Sequence, residues 1–172
     1  MIERLTGGDP ALVDDITSLV NVVYEESERG LWKDGATRTD TKEVESLLAA
    51  GELTGCIRAG RIAGVVRIQH LDAQTGEFGM MAADPGLRGQ GIGRDLVAYA
   101  ESTVQATGRT VMQLELLVPR EGTLESKEFL AAWYTRLGYT LTRLGQIEDQ
   151  YPALAPLLAV PTDYRIYRKN LA

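Results

Sequence analysis

The residues best suited to do chemistry lie between Glu77 and Arg94. Arg88-Gly89-Gln90-Gly91-Ile92-Gly93-Arg94 places three glycines and two guanidinium groups in one short turn. An apolar run through Ala83-Asp84-Pro85 leads into it, and an amphipathic pattern leads out. Ile92, Leu96, Val97, Ala100 and Val104 recur at the spacing of one helical face. A helix start has unpaired N–H groups and partial positive charge. Strand, glycine turn and helix in that order form a phosphate cradle. Among side chains that titrate nearer neutrality, His70 is the single histidine and Cys56 the single thiol.

Two familiar phosphate binders are excluded. A P-loop needs Gly-Lys-Ser/Thr, and the chain has no Gly-Lys pair. A dinucleotide fingerprint needs G-x-G-x-x-G, but the sixth residue is Arg94 counted from Gly89 and Leu96 counted from Gly91. One cysteine and one histidine leave no zinc cluster and no intramolecular disulfide, so no metal is expected. A net charge of −6 argues against general affinity for nucleic acid or anionic membrane. An anionic ligand must therefore be held locally. Met1 to Pro10 lacks a basic start followed by an apolar run, and no window nears the ~18 apolar residues of a membrane span, so a cytoplasmic location is expected.

The elements that must position these residues follow from periodicity. With 172 residues, of which 44% are hydrophobic, the chain suits one domain, 1–172, with its own core. Ile2 to Thr6 reads as a short strand. Asp9-Pro10 opens a helix to about Ser27, and a second starts near Asp40, with Glu43 as capping-box partner, and ends at Gly51. Leu53 to Arg58, Arg61 to Leu71 and Thr75 to Ala83 read as a strand meander. The helix after the glycine turn runs to about Thr107. Val111 to Val118 is a strand. Ser126 is the expected cap of a helix carrying Phe129, Leu130, Trp133, Tyr134 and Leu137. Tyr139 to Arg143 and Thr162 to Lys169 are the last strands. Leu144 to Pro161 is long for a connection and is expected to be functional or to hold a short helix. This order predicts an α/β (α+β) fold: a mixed, mostly antiparallel sheet of six to seven strands with helices on both faces.

The turn retains the pattern Arg88-x-x-Gly91-x-Gly93 after Glu77-Phe78-Gly79-Met80-Met81-Ala82-Ala83-Asp84-Pro85. Leu130 to Tyr139, LAAWYTRLGY, follows at a fixed distance. Together these segments resemble the GNAT superfamily of acyl-CoA-dependent N-acyltransferases, as does the element order over residues 2–170. The resemblance implies acetyl-CoA as cosubstrate, its pyrophosphate on the backbone of Arg88, Gly89, Gln90, Gly91, Ile92, Gly93 and Arg94. It implies that the fourth and fifth strands splay, with pantetheine against the backbone of Met81, Ala82 and Ala83, and Met81 N–H facing the thioester oxygen. It makes Tyr134 the acid for the departing thiolate; a phenol of pKa about 10 suits a thiol leaving group. Glu77 stands where some members carry a carboxylate that takes the amine proton. Where the family often has asparagine before the tyrosine, this chain has Lys127, which reaches a phosphate or is solvated.

The implied partner is an amine acceptor. The family places it against the first two helices and the loop before the last strand. Here Glu25, Glu26, Glu28, Asp34, Glu148 and Asp149, with Trp32 and Tyr151, would suit a cationic amine. A homodimer is compatible with the resemblance. Two readings stand beside acetyl transfer: a coenzyme A sensor without turnover, and an interaction module whose turn binds nothing. His70 on its strand and Cys56 in its apolar context are also consistent with purely structural roles.

Overall fold

Local chemistry sets the element boundaries. The structure is a computed structural model describing residues 1–172. Helix α1 (Pro10–Ser27) starts where Asp9 accepts a hydrogen bond from Ala11 N–H at 3.0 Å, with proline in its first turn. Helix α2 (Thr41–Ala50) starts where Asp40 accepts from Glu43 N–H at 2.8 Å and ends at Gly51, whose φ of 67° is left-handed. The expected capping box is only half made. The Glu43 carboxylate accepts from Thr39 Oγ1 at 2.6 Å instead of reaching back to Asp40 N–H.

The strands are β1 (Ile2–Arg4), β2 (Leu53–Arg58), β3 (Arg61–His70), β4 (Thr75–Ala83), β5 (Val111–Pro119), β6 (Thr140–Gly145) and β7 (Thr162–Asn170). They form one seven-stranded sheet in the order β1-β2-β3-β4-β5-β7-β6. All neighbours pair antiparallel except β4 and β5, which are parallel. Helix α3 (Ile92–Ala106) covers one face, and Ile92, Leu96, Val97, Ala100 and Val104 are all buried there with Tyr134 of α4 (Glu125–Arg136). Helices α1 and α2 cover the other face through Val13, Ile16, Val20, Val44, Leu47 and Leu48. Each such aliphatic side chain contributes about 1.5–3 kcal/mol on burial. The mixed sheet with helices on both faces is the expected α/β architecture.

One of two details differs from the sequence expectation. Helix α4 has Leu124 at its N-cap with no side-chain bond, and Ser126 Oγ donates to the Ser27 carbonyl at the end of α1. Ser126 thus ties two helices together rather than capping one. The long connection before β7 carries short helical segments as expected, two single 3₁₀ turns at Ile147–Asp149 and Ala155–Leu157.

The feature that shapes the site is in β4. Met80 has φ +46°, rare for a residue with a side chain. Gly79 pairs with Arg67 and Ala82 with Val65, so Met80 and Met81 together oppose Val66 in a bulge. The bulge reverses side-chain parity. Phe78 packs under α3, whereas Met80 and Ala82 pack under α1 and α2. Pairing with β5 is confined to Thr75, Gly76 and Glu77 opposite Val111, Met112 and Gln113. Beyond Glu77 the two strands separate.

Candidate active site

A cleft of about 890 Å³ fills the space between the separating strands. One end is the glycine turn, the middle is the bulge and Tyr134, and the other end is an aromatic and charged chamber beneath α1.

The turn is built to expose backbone. Gly89 and Gly91 have φ of 82° and 78°, a region that residues with a Cβ enter at a cost. Gly91 is the N-cap of α3 and supplies no capping side chain. The N–H groups of Gly89, Gly91, Ile92, Gly93 and Arg94 meet no acceptor in the protein, whereas Gln90 N–H donates to Leu87. Gly64 of β3 lets the helix start approach closely: a Cβ there would lie 2.7 Å from Ile92. Arg88 and Arg94 line the cleft beside these amides, and Arg94 makes only a 3.5 Å contact with Asp95. Free amides and two guanidinium groups on one concave surface fit a pyrophosphate.

In the middle, Asp84 N–H donates to the Ala63 carbonyl of β3 at 2.9 Å. Antiparallel ladders alternate, so Ala82 also faces β3 and Ala83 turns its N–H and C=O to the open side. Met81 and Ala83 line the cleft; Ala82 is buried on the opposite face of the sheet and does not. Tyr134 lines it as well, buried among Phe78, Trp133 and Tyr139 at centroid distances of 6.0, 5.0 and 6.1 Å. Burial pushes its phenol well above the ordinary value, with the nearby Tyr24 adding to the effect. The hydroxyl therefore keeps its proton.

Glu77 sits at the vertex where the strands part. It is buried, and its two oxygens accept from Gln69 Nε2 and Gln113 Nε2, each at 2.7 Å. Gln113 is oriented in turn, since its Oε1 accepts from Arg168 Nε at 2.8 Å. Burial raises the Glu77 pKa against the lowering effect of the two amides. A second carboxylate, Glu115, follows on β5. Burial, reinforced by the charge of Glu77, pushes it up to about 7. Gln150 Nε2 donates to it, and the Tyr164 hydroxyl is within its reach.

The structure thus brings together Glu77, Met81, Ala83, Arg88, Gly89, Gly91, Ile92, Gly93, Arg94 and Tyr134, and leaves Ala82 and Gln90 off the cleft wall. His70 is exposed at the far end of β3 and Cys56 is buried in the core. Lys127 is neither solvated nor free for a phosphate. It is 4% exposed and pairs with Glu28 Oε1 at 2.6 Å. Glu28 also accepts from Trp32 Nε1 at 2.5 Å, so it is neutralised and not open to a cationic acceptor. Of the other expected acceptor carboxylates only Glu26 borders the cleft, while Tyr151 does line it. Sequence reasoning passed over Glu115, Arg38, Tyr24 and Tyr164. For Glu115 there was a signal: Gln113 and Glu115 are the only polar residues in the run Val111 to Val118.

A family model for the acetyltransferase (GNAT) domain matches residues 47–141. The chain belongs to the GNAT acetyltransferase family. No curated protein sequence matches it. Solved structures share the fold at low identity. An aminoglycoside 6′-N-acetyltransferase complexed with coenzyme A is 14% identical, with a TM-score of 0.74 over 100% of this chain and 97% of that one. A GNAT family acetyltransferase from Elizabethkingia anophelis with acetyl-CoA bound is 18% identical, with a TM-score of 0.65 over 99% and 97%. N-acetylglutamate synthase from Neisseria gonorrhoeae, complexed with coenzyme A and N-acetyl-glutamate, is 16% identical, with a TM-score of 0.66 over 100% of this chain and 35% of that one. No helix is long and apolar enough to cross a membrane.

Proposed function

We propose that this GNAT protein transfers an acetyl group from acetyl-CoA to a primary amine by direct attack in a ternary complex. The observation that carries this is one continuous cleft running from unpaired helix-start amides, past Tyr134, to a raised-pKa carboxylate. Proteins of the same fold captured with coenzyme A or acetyl-CoA support the donor assignment.

In this reading the amides of Gly89, Gly91, Ile92 and Gly93, with Arg88 and Arg94, hold the pyrophosphate. The backbone of Met81 and Ala83 aligns the pantetheine arm and faces the thioester oxygen, where negative charge develops on attack. Glu115 accepts the proton that the ammonium must lose. A base near pKa 7 is suited to that task at neutral pH. Glu77 is the fixed charge that keeps Glu115 basic, by the repulsion of one carboxylate on another. The amine nitrogen bonds to the carbonyl carbon, the carbon–sulfur bond breaks, Tyr134 gives its proton to the departing thiolate, and the second proton lost by the nitrogen restores the Tyr134 phenol. The only thiol, Cys56, is buried in the core, so no acyl-cysteine forms.

The test has two readouts. Coenzyme A should raise Tm by binding the native state. Acetyl-CoA with a panel of primary amines should release free thiol. Protection without turnover on any amine would make the protein a coenzyme sensor, and no protection would end the reading.

A further inference from the structure

Most cations of this protein that are not fully solvated are spoken for. Lys127 pairs with Glu28, Arg67 with Glu52, Lys169 with Glu101, and Arg168 donates to Gln113. Arg38 is different. It lines the acceptor end of the cleft, its Nη1 is fully buried, and no group accepts from that nitrogen. Its carbon Cζ lies 5.4 Å from the Tyr24 ring centroid and 5.1 Å from that of Tyr151. Two aromatic faces flank the guanidinium and leave Nη1 without an acceptor. The Tyr24 hydroxyl feels the Arg38 charge and lies within hydrogen-bonding reach of its guanidinium, but Nη1 is not the donor.

The backbone behind Arg38 is also fixed. Thr39 N–H donates to Asn21 Oδ1, and Asn21 Nδ2 donates to the Thr39 carbonyl, both at 3.0 Å. Thr39 Oγ1 donates to Glu43 Oε2 at 2.6 Å, and the Glu43 carboxylate, an acidic charge acting on Arg38, makes no hydrogen bond to it. A buried guanidinium N–H without an acceptor is costly, and a small shift of the partly buried side chain toward an anion in the cleft that it lines would relieve that cost. A carboxylate does so best, because its oxygens match the guanidinium fork. A phosphate dianion fits less well, since Glu77 and Glu115 line the same cleft. Arg38 contacts Tyr151, whose ring is 6.5 Å from that of Tyr164, the neighbour of Glu115. Anion holder and proton acceptor are thus linked through one aromatic wall.

We infer that the acceptor is an amino acid: a small amine that also carries a carboxylate, held by Arg38 while its nitrogen is turned toward Glu115. This rests on the acetyl-transfer reading above and names its acceptor class. A polyamine or a sugar amine would leave Arg38 unfilled.

The test compares each L-amino acid with its own primary amide and its decarboxylated amine, by thiol release from acetyl-CoA. At least one amino acid should exceed its amide in kcat/KM by about 10- to 100-fold, the usual size of a charge-assisted bond to a buried partner. In Arg38→Met, which keeps an apolar stem between the tyrosines, that ratio should collapse toward one; Arg38→Lys should restore part of it. Amides or plain amines used as well as the acids, or a ratio unchanged in Arg38→Met, would overturn the inference. A second readout needs no turnover. The N-acetyl derivative of the preferred amino acid, or of each amino acid in turn if none reacts, should raise the Tm of the wild type and not of Arg38→Met. No such shift while coenzyme A still protects would defeat the carboxylate site alone. A shift without coenzyme protection would defeat acetyl transfer alone.

Discussion

Glu115 offers the sharpest test of the chemistry. Its carboxyl is raised from 4.5 to about 7, first by burial and then by the charge of Glu77. If it takes the amine proton, kcat/KM should rise with pH through an ionisation near 7. At pH 6 about one molecule in ten would be active, and the slope of log kcat/KM below the midpoint would be about one. Glu115→Gln keeps the shape but cannot accept a proton, so turnover should fall by about 10²- to 10⁴-fold and the limb should vanish. Glu77→Gln removes the repelling charge, so the limb should move to lower pH while activity survives. That variant also sets an amide against Gln69 and Gln113, and Gln113 cannot simply turn over because its Oε1 accepts from Arg168. A stability loss of about 1–3 kcal/mol is therefore expected alongside. Free-thiol release at limiting amine acceptor reads the profile, and the buried Cys56 adds no background in the folded protein. Glu115→Gln retaining wild-type kcat/KM within threefold would refute the role. So would a limb near 7 that survives in it, since that limb would then belong to the acceptor amine. The same shift has a sign for stability. A carboxyl raised in the folded state is held better protonated, so its ionisation subtracts stability as pH climbs from about 4.5 through 7. Glu115→Gln should therefore gain Tm relative to the wild type at pH 8 and not at pH 4.

Two further outcomes follow from the same geometry. Tyr134→Phe keeps the packing against Phe78, Trp133 and Tyr139 and removes only the proton, so kcat should fall by about 10²-fold or more while coenzyme A still raises Tm; unchanged turnover would remove the residue from the mechanism. Lys127→Ala strands the buried Glu28 carboxylate and should cost about 3–5 kcal/mol in urea unfolding, whereas Lys127→Met with Glu28→Leu should cost less than the single change; a single-variant loss below about 1 kcal/mol would mean that water reaches Glu28.

Much of this protein could be read from its residues alone. Asp9-Pro10 and Asp40 mark helix starts because an oxygen side chain caps free N–H groups locally. The apolar face of α3 follows from spacing alone. The glycine turn is legible because only glycine enters the left-handed region freely at Gly89 and Gly91. These features depend on neighbours in the chain. The site chemistry depends on neighbours in space. Met80 in a left-handed conformation has no sequence signal, since methionine does not seek it; the two faces of the sheet impose it, and with it the parity change that opens the cleft. Lys127 looks like a solvated lysine until α1 brings Glu28 to it across the fold. The acidic stretch that suggested a cationic acceptor is largely solvent-facing or, at Glu28, already paired. The raised pKa of Glu115 and the unpartnered Nη1 of Arg38 arise only through burial and the company of Glu77, Tyr24 and Tyr151. The sequence by itself determined the family, the glycine turn and the order of elements, because those are written in local spacing. Tertiary structure alone decided which charges are buried, paired or free, because desolvation and Coulomb interactions act through space and not along the chain.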